Sequence, residues 1–508
     1  MNRVVLAMLG SLVALGVLVW SMSEKRSRVG RGEAAQSGIT ILCAASNRAV
    51  MDEICQDYFD EFAIRVETQY GPSQSLLSNL EVSSVGDLYL PADSSYLDIA
   101  RQQGLIDESL AIARMQGVVA VKKGNPKKIH SYEDLLRDDV RLVQANPEAA
   151  AIGAVTKRLL QEVGKWKDLQ SATAGFRTTV TDAATDVVVG AADAAIVYDA
   201  VLYAFDDLEY VKIDELREAV SDISIGVASS SENPRAAFHF ARFITARDRG
   251  LRHYEQQGFG TVVGDKWNDA PELTVYAGSM LRPAIEDVIE EFSEREGVVV
   301  RCVFNGCGIL VGQMKTGAQP DAYFACDSEF MTQVADLFPE PVDVSQNELA
   351  ILVKKGNPFN IRTLRDLTKP DVRVGIGHEK QCAMGWLTQQ TFTESGIKSE
   401  LMENVTVQSP TGDMLVNQLL ADGLDAAVAY LSNAAGMADE LEALPIEGLS
   451  CSIATQPWAV REGSDYPNLA DRLFTKIVSA ENQEVFAANG FRWQLDVPSE
   501  SAATDAQQ

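Results

Sequence analysis

The chain has 508 residues and carries 44 basic against 72 acidic side chains, which gives a formal net charge of −28. This charge argues against general nucleic-acid binding, because such binding depends on cationic side chains that contact phosphates. Apolar residues make up 46% and charged residues 23%, as in ordinary globular proteins. The length therefore predicts roughly three to four compact units rather than one core.

The first predicted element is an export segment at the N-terminus. Residues 4–20 carry no charge, with Arg3 before them and a basic cluster at 24–28 after them. No convincing small-x-small cleavage site follows Trp20, so we expect an uncleaved membrane anchor. The basic cluster opposes this orientation, because the positive-inside rule would keep the downstream side cytoplasmic.

Two predicted helix starts then carry hydroxyl side chains. Ser46 ends a strand-like run, and an amphipathic helix pattern follows it, with Val50 and Ile54 among apolar residues spaced four apart. Ser73 lies in a Gly-Pro-Ser turn before another apolar helix pattern. A serine at such a place can cap the helix, or it can contact an anion together with the unpaired N–H groups of the helix start. These two roles are compatible.

Strand-like and helical patterns alternate further along, which predicts an α/β fold with parallel sheets. The run 117–121 is short and fully apolar, so we expect a buried strand that could cross from one lobe to another. Asp87 and Asp93 could suggest paired carboxylates or a metal site, but spaced aspartates after a strand more often cap turns and helices. We therefore predict no metal site.

The second half of the chain repeats the first. Corresponding positions lie 232 to 234 residues apart, in a spacing steady enough to indicate duplication. The matched segments are 39–46 with 273–279, 86–93 with 320–327, 121–126 with 353–358, and 192–198 with 424–430. We expect a signal or anchor segment with its linker at 1–38, a first unit at 39–263, an exposed linker at 264–271, a second unit at 272–496, and a disordered tail at 497–508.

The chain contains seven cysteines, an odd number without C-x-x-C spacing, which does not indicate a disulfide framework. Several lie in apolar runs, among them Cys43 and Cys326, where a buried small hydrophobic residue is the simpler interpretation. Cys307 stands in the second copy where Ser73 stands in the first.

The order and separation of these motifs resemble the periplasmic molybdate-binding proteins of ABC importers. The motifs are a strand ending in Ala-Ala-Ser, a serine-bearing turn, two spaced aspartates, and Asp-Ala-Ala-Ile-Val-Tyr at 193–198. The resemblance covers almost all of both units. It implies two tandem units of the periplasmic-binding-protein kind, each with two α/β lobes that close over a tetrahedral oxyanion held by uncharged donors. It also favours export and an extracytoplasmic location, with an ABC permease as the partner.

Carried over position by position, the resemblance implies a set of ligand-binding residues in each unit. In the first unit, Ser46 and Ser73 match the family's serine donors and Tyr198 matches its phenol donor. Ile152 and Val180 fall where the family supplies backbone N–H groups.

In the second unit, Ser279 and Tyr430 match the serine and the tyrosine, and Met384 and Thr411 fall at the backbone positions. Cys307 replaces the second serine. Because a thiol donates weakly, either the backbone N–H suffices there, or the second site has changed or lost its ligand.

An uncharged cage suits a doubly negative tetrahedral anion, because several donated hydrogen bonds can offset its dehydration. We expect capture of molybdate or tungstate, with sulfate as a further possibility, for delivery to a permease, and no cofactor. The alternative is a membrane-anchored sensory or regulatory module in which one repeat has lost ligand binding. Four histidines, with no G-x-S-x-G and no H-E-x-x-H motif, argue against an enzyme.

Overall fold

The structure is a computed structural model that describes residues 38–83 and 85–495. These residues form two units of the same topology, each built on ten strands. The predicted export segment at 4–20 and the predicted tail at 497–508 lie outside the described residues. Within the described ranges, no helix combines the length and the apolar character needed to cross a membrane.

The first unit contains ten strands. They are β1 (Ile39–Ala44), β2 (Val66–Gly71), β3 (Leu88–Leu90), β4 (Ile106–Lys122), β5 (Leu142–Ala145), β6 (Thr173–Arg177), β7 (Ala194–Tyr198), β8 (Leu208–Val211), β9 (Val220–Ala228) and β10 (Gly260–Thr261). Its α-helices are α1 (Arg48–Phe62), α2 (Ser73–Ser83), α3 (Ser95–Gln102), α4 (Tyr132–Leu135), α5 (Ala151–Glu162), α6 (Trp166–Ala172), α7 (Val180–Val188), α8 (Pro234–Thr245) and α9 (Gly250–Gln256).

Strand β4 joins the two lobes of this unit. Its first part pairs antiparallel with β9, from Ile106 to Gln116, and its last part pairs antiparallel with β7, from Gly117 to Val121. The first lobe therefore holds β2-β1-β3-β9 and the second holds β7-β5-β6. The predicted buried run at 117–121 is the second-lobe part of this crossing strand.

The prediction of parallel sheets holds only within each lobe. Strand β1 is parallel to β2 and β3, and β5 is parallel to β6 and β7. The strands that pass between lobes, β4 and β9, pair antiparallel because the chain returns along the path by which it left.

The second unit repeats this arrangement. Its strands are β11 (Glu272–Gly278), β12 (Val299–Asn305), β13 (Ala322–Phe324), β14 (Val342–Lys354), β15 (Val374–Gly377), β16 (Val405–Ser409), β17 (Ala426–Tyr430), β18 (Leu441–Pro445), β19 (Ile453–Val460) and β20 (Arg492–Trp493). Its α-helices are α10 (Arg282–Glu296), α11 (Cys307–Lys315), α12 (Ser328–Thr332), α13 (Ala383–Glu394), α14 (Lys398–Glu403), α15 (Gly412–Leu420), α16 (Pro467–Ile477) and α17 (Ala480–Ala488). The strand order β12-β11-β13-β19-β14-β17-β15-β16 matches that of the first unit, and β14 is the crossing strand.

Strand register fixes how the two units correspond. Ile41 pairs with Leu88 in the first unit, and Val275 pairs with Ala322 in the second, so positions here differ by 234. Both α1 and α10 have 15 residues and both end at a residue in the left-handed conformation. With this shift of 234, Ala45 is equivalent to Ser279 and Ser46 is equivalent to Met280. The predicted match of Ser46 with Ser279 is therefore wrong by one residue, because strand register sets the correspondence and the shared residue type does not.

The aspartates that the sequence marks hold the fold together. Asp87 accepts the N–H of Thr40 at 2.9 Å, and Asp321 accepts that of Thr274 at the same distance. Asp93 and Asp327 accept the backbone N–H groups of Ser95 and Glu329. Asp193 and Asp425 accept hydrogen bonds from the side chains of Arg141 and Arg373.

The two units pack against each other through a seam formed by α8, α10, α16 and the linker. Arg242 of the first unit donates to the carbonyl of Glu296 in the second unit. Glu296 is 1% exposed and binds Arg472 of its own unit through two hydrogen bonds of 2.8 Å. Asp265 of the linker caps α16 by accepting the N–H groups of Asn468 and Leu469. Four of the eight linker residues, Lys266 and those at 268–270, are exposed, and Asp265 adds a specific contact to the second unit.

Candidate functional site

A small cavity lies between the two lobes of the first unit. Its walls are formed by Ala44, Ala45, Ser46, Gly71, Pro72, Ser73, Ala92, Ala150, Ala151, Ile152, Thr179, Val180 and Tyr198. The structure thus brings all five residues predicted for the first unit to one place: Ser46, Ser73, Ile152, Val180 and Tyr198. It also adds Thr179, which the sequence reasoning missed.

Four helical segments begin at this cavity. The single 3₁₀ turn Ala45–Asn47, which leads into α1, and the start of α2 come from the first lobe. The starts of α5 and α7 come from the second lobe. The first turn of a helix has N–H groups without intrahelical partners and carries the positive end of the helix dipole. Both lobes therefore present backbone donors to the same small volume.

Two serines add hydroxyl donors. The Ser73 Oγ accepts the N–H of Ala92 at 3.1 Å, and the Ser46 Oγ accepts a bond from the Asn47 amide at 3.4 Å. Because each oxygen is already an acceptor, its own hydrogen can point elsewhere. Both serines are buried in the cavity wall, so a ligand in the cavity is within reach of that hydrogen.

Tyr198 is fully buried, and its hydroxyl oxygen lies 2.7 Å from the Ser221 Oγ. Burial raises the pKa of Tyr198, so the phenol is neutral and can donate. When Ser221 donates to Tyr198, the phenol hydrogen is available to the cavity. No sequence signal marks Ser221, because it lies within β9 and comes next to Tyr198 only through strand pairing.

The two lobes touch at the rim of this cavity. The N–H of Gln74 donates to the Ala149 carbonyl at 3.3 Å, and the Thr181 hydroxyl donates to the Ala45 carbonyl at 3.4 Å. Both bonds join a first-lobe residue to a second-lobe residue. The unit is therefore in a closed form around its cavity.

The chemistry of the first cavity follows from its wall. Each described residue that lines it is uncharged, and its polar side chains are hydroxyls, which can donate hydrogen bonds. The cavity is much smaller than the sites of about 300–1,000 Å³ that organic ligands occupy. In the described part of the chain, no group of three or more His, Cys, Asp or Glu side chains could hold a metal ion. The cavity is suited to a small anion that accepts hydrogen bonds on all sides.

A second small cavity occupies the equivalent place in the second unit. Its walls are formed by Ser279, Met280, Gly306, Cys326, Cys382, Met384, Pro410, Thr411, Gly412, Tyr430 and Asn433. The structure brings together four of the predicted residues, namely Ser279, Met384, Thr411 and Tyr430. The fifth, Cys307, is not in this wall and lies directly behind it.

Cys307 and Cys326 form a disulfide, which corrects two expectations from the sequence. A disulfide was not indicated, and Cys326 was interpreted as a small hydrophobic residue. The 19-residue separation follows no standard spacing, and the two residues meet only because the start of α11 lies beside the end of β13. The N–H of Cys326 donates to the Cys307 Sγ at 3.1 Å, as that of Ala92 does to Ser73.

Tyr430 differs from Tyr198 in its surroundings. Its hydroxyl is buried and has no hydrogen-bond partner among the described residues. Ser221 pairs with Met115 in the first unit, and Ala454 pairs with Asn347 at the equivalent point of the second, so alanine replaces the partner serine. An unpaired buried hydroxyl costs about 1–3 kcal/mol, and an acceptor inside the cavity would relieve this cost.

Asn433 is a second-cavity residue that the sequence reasoning missed. Its Oδ1 accepts the N–H of Tyr430 at 3.2 Å, and its Nδ2 donates to Asp413 at 3.0 Å. The side chain fits because residue 412 is glycine, and a Cβ there would overlap the Asn433 amide. The second cavity is therefore similar to the first in position and different in its donors.

Two segments of the chain, residues 39–260 and 273–492, each match the family described as bacterial extracellular solute-binding protein. The molybdate-binding protein ModA of Mycobacterium bovis is 29% identical over 252 residues, which are 49% of this chain and 94% of that protein. A putative binding protein of Haemophilus influenzae is 26% identical over 232 residues, which are 44% of this chain and 91% of that protein.

Among solved structures, the periplasmic molybdate-binding protein of Azotobacter vinelandii aligns with a TM-score of 0.39 and 15% identity, over 44% of this chain and 99% of that one. The sulfate-binding protein SubI of Mycobacterium tuberculosis aligns with a TM-score of 0.38 and 15% identity, over 46% of this chain and 90% of that one. Each of these relatives therefore matches less than half of this chain and nearly all of its own length.

Proposed function

The chain belongs to the bacterial extracellular solute-binding proteins, and from this premise we propose that it captures a tetrahedral oxyanion for an ABC importer. Molybdate or tungstate is the preferred ligand, and sulfate is the next candidate. The observation that carries this proposal is the first cavity, where hydroxyls and helix starts from both lobes converge on a small uncharged space.

The energetics favour a bare dianion in such a space. A hydrogen bond to a charged group contributes about 1.5–3 kcal/mol. Ser46, Ser73 and Tyr198 supply hydroxyls, and the starts of α5 and α7 supply N–H groups near Ile152 and Val180. Their sum can offset the loss of hydration without a cationic side chain. Strong overall negative charge is then no obstacle to binding.

The same wall gives selectivity by protonation state. Its polar side chains are all hydroxyls that can act as donors, and no carboxylate lines it, so a fully deprotonated anion finds hydrogen-bond donors and no charged acceptor. Phosphate carries a proton near neutral pH, and that proton would need an acceptor. We therefore expect molybdate, tungstate and sulfate to bind and phosphate to bind more weakly.

The relatives support a solute-binding role. The Mycobacterium bovis relative is named as molybdate-binding and the other curated relative as a binding protein, so both names describe binding rather than catalysis. The comparisons give no support to a sensory module. We place the protein outside the cytoplasm, where its partner is a membrane permease that accepts the closed, loaded form.

Isothermal titration calorimetry of the full chain with molybdate tests the proposal. We expect saturable binding, with displacement by tungstate and little heat from phosphate. A thermal-shift panel provides a second readout, since ligand at a hundred times its Kd should stabilise the folded protein by about 2.7 kcal/mol. If molybdate, tungstate and sulfate all leave the unfolding transition unmoved and give no heat, the proposed function is wrong.

A further inference from the structure

The disulfide occupies a critical place in the wall of the second cavity. Cys326 lines the cavity, and Cys307 begins helix α11 directly behind it. In the first unit the equivalent positions hold Ser73, which can donate a hydroxyl hydrogen, and the methyl group of Ala92. A disulfide sulfur has no hydrogen to donate, so the second cavity lacks a donor at this position.

The two sulfurs pack against the end of strand β11. A Cβ built at Gly278 would lie 2.5 Å from the Cys326 Sγ and 3.3 Å from the Cys307 Sγ. Gly278 directly precedes Ser279, whose turn lines the cavity and leads into α10. Any outward movement of the sulfurs must therefore shift the backbone that positions Ser279.

The second lobe covers the turn that bears the disulfide. A Cβ built at Gly306 would lie 2.5 Å from the carbonyl oxygens of Gln381 and Pro410, and the N–H of Ile309 donates to the Gln381 carbonyl at 3.3 Å. Cys307 and Cys326 are 0% and 4% exposed. A reductant can reach their sulfurs only after the lobes separate.

Building on the oxyanion-binding function proposed above, we propose that the Cys307–Cys326 disulfide is a redox site that controls anion binding by the second cavity. The cavity binds its anion while the disulfide is intact and loses affinity when a dithiol reduces it. The first cavity, with Ser73 and Ala92 at these positions, binds in both redox states.

The chemistry of this step is thiol–disulfide exchange. A dithiol attacks one sulfur as its thiolate, and its second thiol then resolves the mixed disulfide. The Cys307–Cys326 bond breaks, two electrons and two protons pass to the cysteine pair, and the reductant leaves as a cyclic disulfide. A disulfide-bearing oxidoreductase of the dithiol class reverses the reaction.

Reduction then crowds the wall. Two sulfurs that are no longer bonded need the separation of non-bonded atoms, about 3.5–4.0 Å. Gly278 leaves no free space on one side, and the cavity lies on the other. The sulfurs must therefore displace the start of the Ser279 turn or enter the cavity, and either change removes contacts from the anion.

The neighbouring Cys382 does not take part in the exchange. Its side chain also lines the second cavity, but burial raises the pKa of the Cys382 thiol to about 11. Only the thiolate attacks a disulfide, so this thiol is inert near neutral pH.

Linkage makes the effect reciprocal. If reduction weakens anion binding by some factor, the bound anion must oppose reduction by the same factor. The anion also holds the lobes closed over the buried sulfurs. Molybdate should therefore protect the disulfide from a dithiol in solution.

The full chain can be titrated with molybdate before and after treatment with dithiothreitol. We expect two equivalents to bind to the oxidised protein, and after reduction one equivalent at unchanged affinity and one at least tenfold weaker. In parallel, alkylation and mass spectrometry should show at least tenfold slower reduction of Cys307 and Cys326 when molybdate is present. Equal binding in both redox states, with no protection, overturns the inference, whereas absence of binding in both states would overturn the proposed function itself.

Variants separate this site from other cysteines. The double variant Cys307→Ser with Cys326→Ala gives the second unit the residue pair of the first, and its two sites should be indifferent to dithiothreitol. Cys451→Ala removes a cysteine outside both cavities and should keep the wild-type response. A dithiol response that survives the double variant contradicts the inference. Protection of the wild-type disulfide by molybdate remains a test if that variant does not fold.

Discussion

The hydroxyl oxygens of Tyr198 and Ser221 lie 2.7 Å apart in the first unit. In the second unit alanine replaces that serine, and the hydroxyl of Tyr430 has no partner among the described residues. The tyrosines occupy equivalent strand ends, so the difference comes from one residue on the neighbouring strand. The Tyr198 hydroxyl has a hydrogen-bond partner within the protein. The Tyr430 hydroxyl can gain one only from a ligand in its cavity.

This difference predicts that removing the two tyrosine hydroxyls will have different effects on the stability of the ligand-free protein. Tyr198→Phe leaves the Ser221 hydroxyl buried without its partner and should lower the free energy of unfolding by about 1–3 kcal/mol. Tyr430→Phe removes a hydroxyl that is already unpaired, so it should be neutral or stabilising. Urea denaturation without anion measures both. Equal losses in the two variants would show that Tyr430 has a partner after all.

Removing the serine donors should abolish one of the two sites. Ser46→Ala with Ser73→Ala deletes two hydroxyl bonds to a charged ligand, each contributing about 1.5–3 kcal/mol, so affinity at the first cavity should fall at least a hundredfold. Calorimetric stoichiometry with molybdate should drop from two to one. The matched control is Ser83→Ala, an exposed serine at the end of α2, which should bind two equivalents. Unchanged stoichiometry in the double variant would refute the site.

Asp327 predicts a pH dependence of stability. Burial raises the pKa of Asp327 to about 6, above the value of about 3.9 for an exposed aspartate. The folded state thus holds the proton more tightly than the unfolded state. The resulting stability is fully present below about pH 4 and is lost as the pH rises to about 6.

Asp327→Asn tests this sign. The amide oxygen can still accept the N–H of Glu329 and cap α12, but it carries no charge. The variant should be more stable than the wild type at pH 7, by up to about 3 kcal/mol, and should lose the slope between pH 4 and 6. Urea midpoints at pH 4, 5, 6 and 7 measure this. Asp93→Asn makes the same change in the first unit, and a wild-type slope that persists in the Asp327 variant would assign it to another group.

The seam between the units predicts a large cost when its ion pair is broken. Arg472→Met leaves Glu296, which is 1% exposed, as an uncompensated buried charge and should destabilise the protein by about 3–5 kcal/mol. Arg101→Met removes one partner of an ion pair with Asp98 whose side chains are 44% and 67% exposed, and it should cost less than about 1 kcal/mol. Scanning calorimetry compares the two. Similar costs would mean that the seam pair is hydrated.

Local patterns predicted the elements that carry a strong periodic signal. The apolar spacing of Val50, Ile54 and Tyr58 predicts helix α1, and all three are buried. The apolar run at 117–121 predicts the second-lobe part of β4. Repetition at a fixed separation predicts the two units. The structure confirms the repetition, since every strand of the first unit reappears in the second with the same pairing.

Features that depend on pairing between distant segments could not be found in this way. Ser221 reaches Tyr198 only because β9 and β7 both pair with β4. The β4 partner of Ser221 is Met115, which lies more than a hundred residues earlier in the chain. The disulfide joins the ends of two elements whose meeting no spacing rule encodes. The shift between Ser46 and Ser279 shows the same limit, since strand register decides equivalence and residue identity does not.

The seam has a consequence for how the chain moves. Helices α8, α10 and α16 all belong to first lobes, and β4 and β14 lead outward from them to the second lobes. The two first lobes thus pack together as one base, and each second lobe is joined to this base by the crossing strands of its own unit. Under the proposed function, we expect each unit to close on its anion independently of the other. A chain with the proposed function would therefore present its permease with zero, one or two closed units, so that its loading would vary in steps.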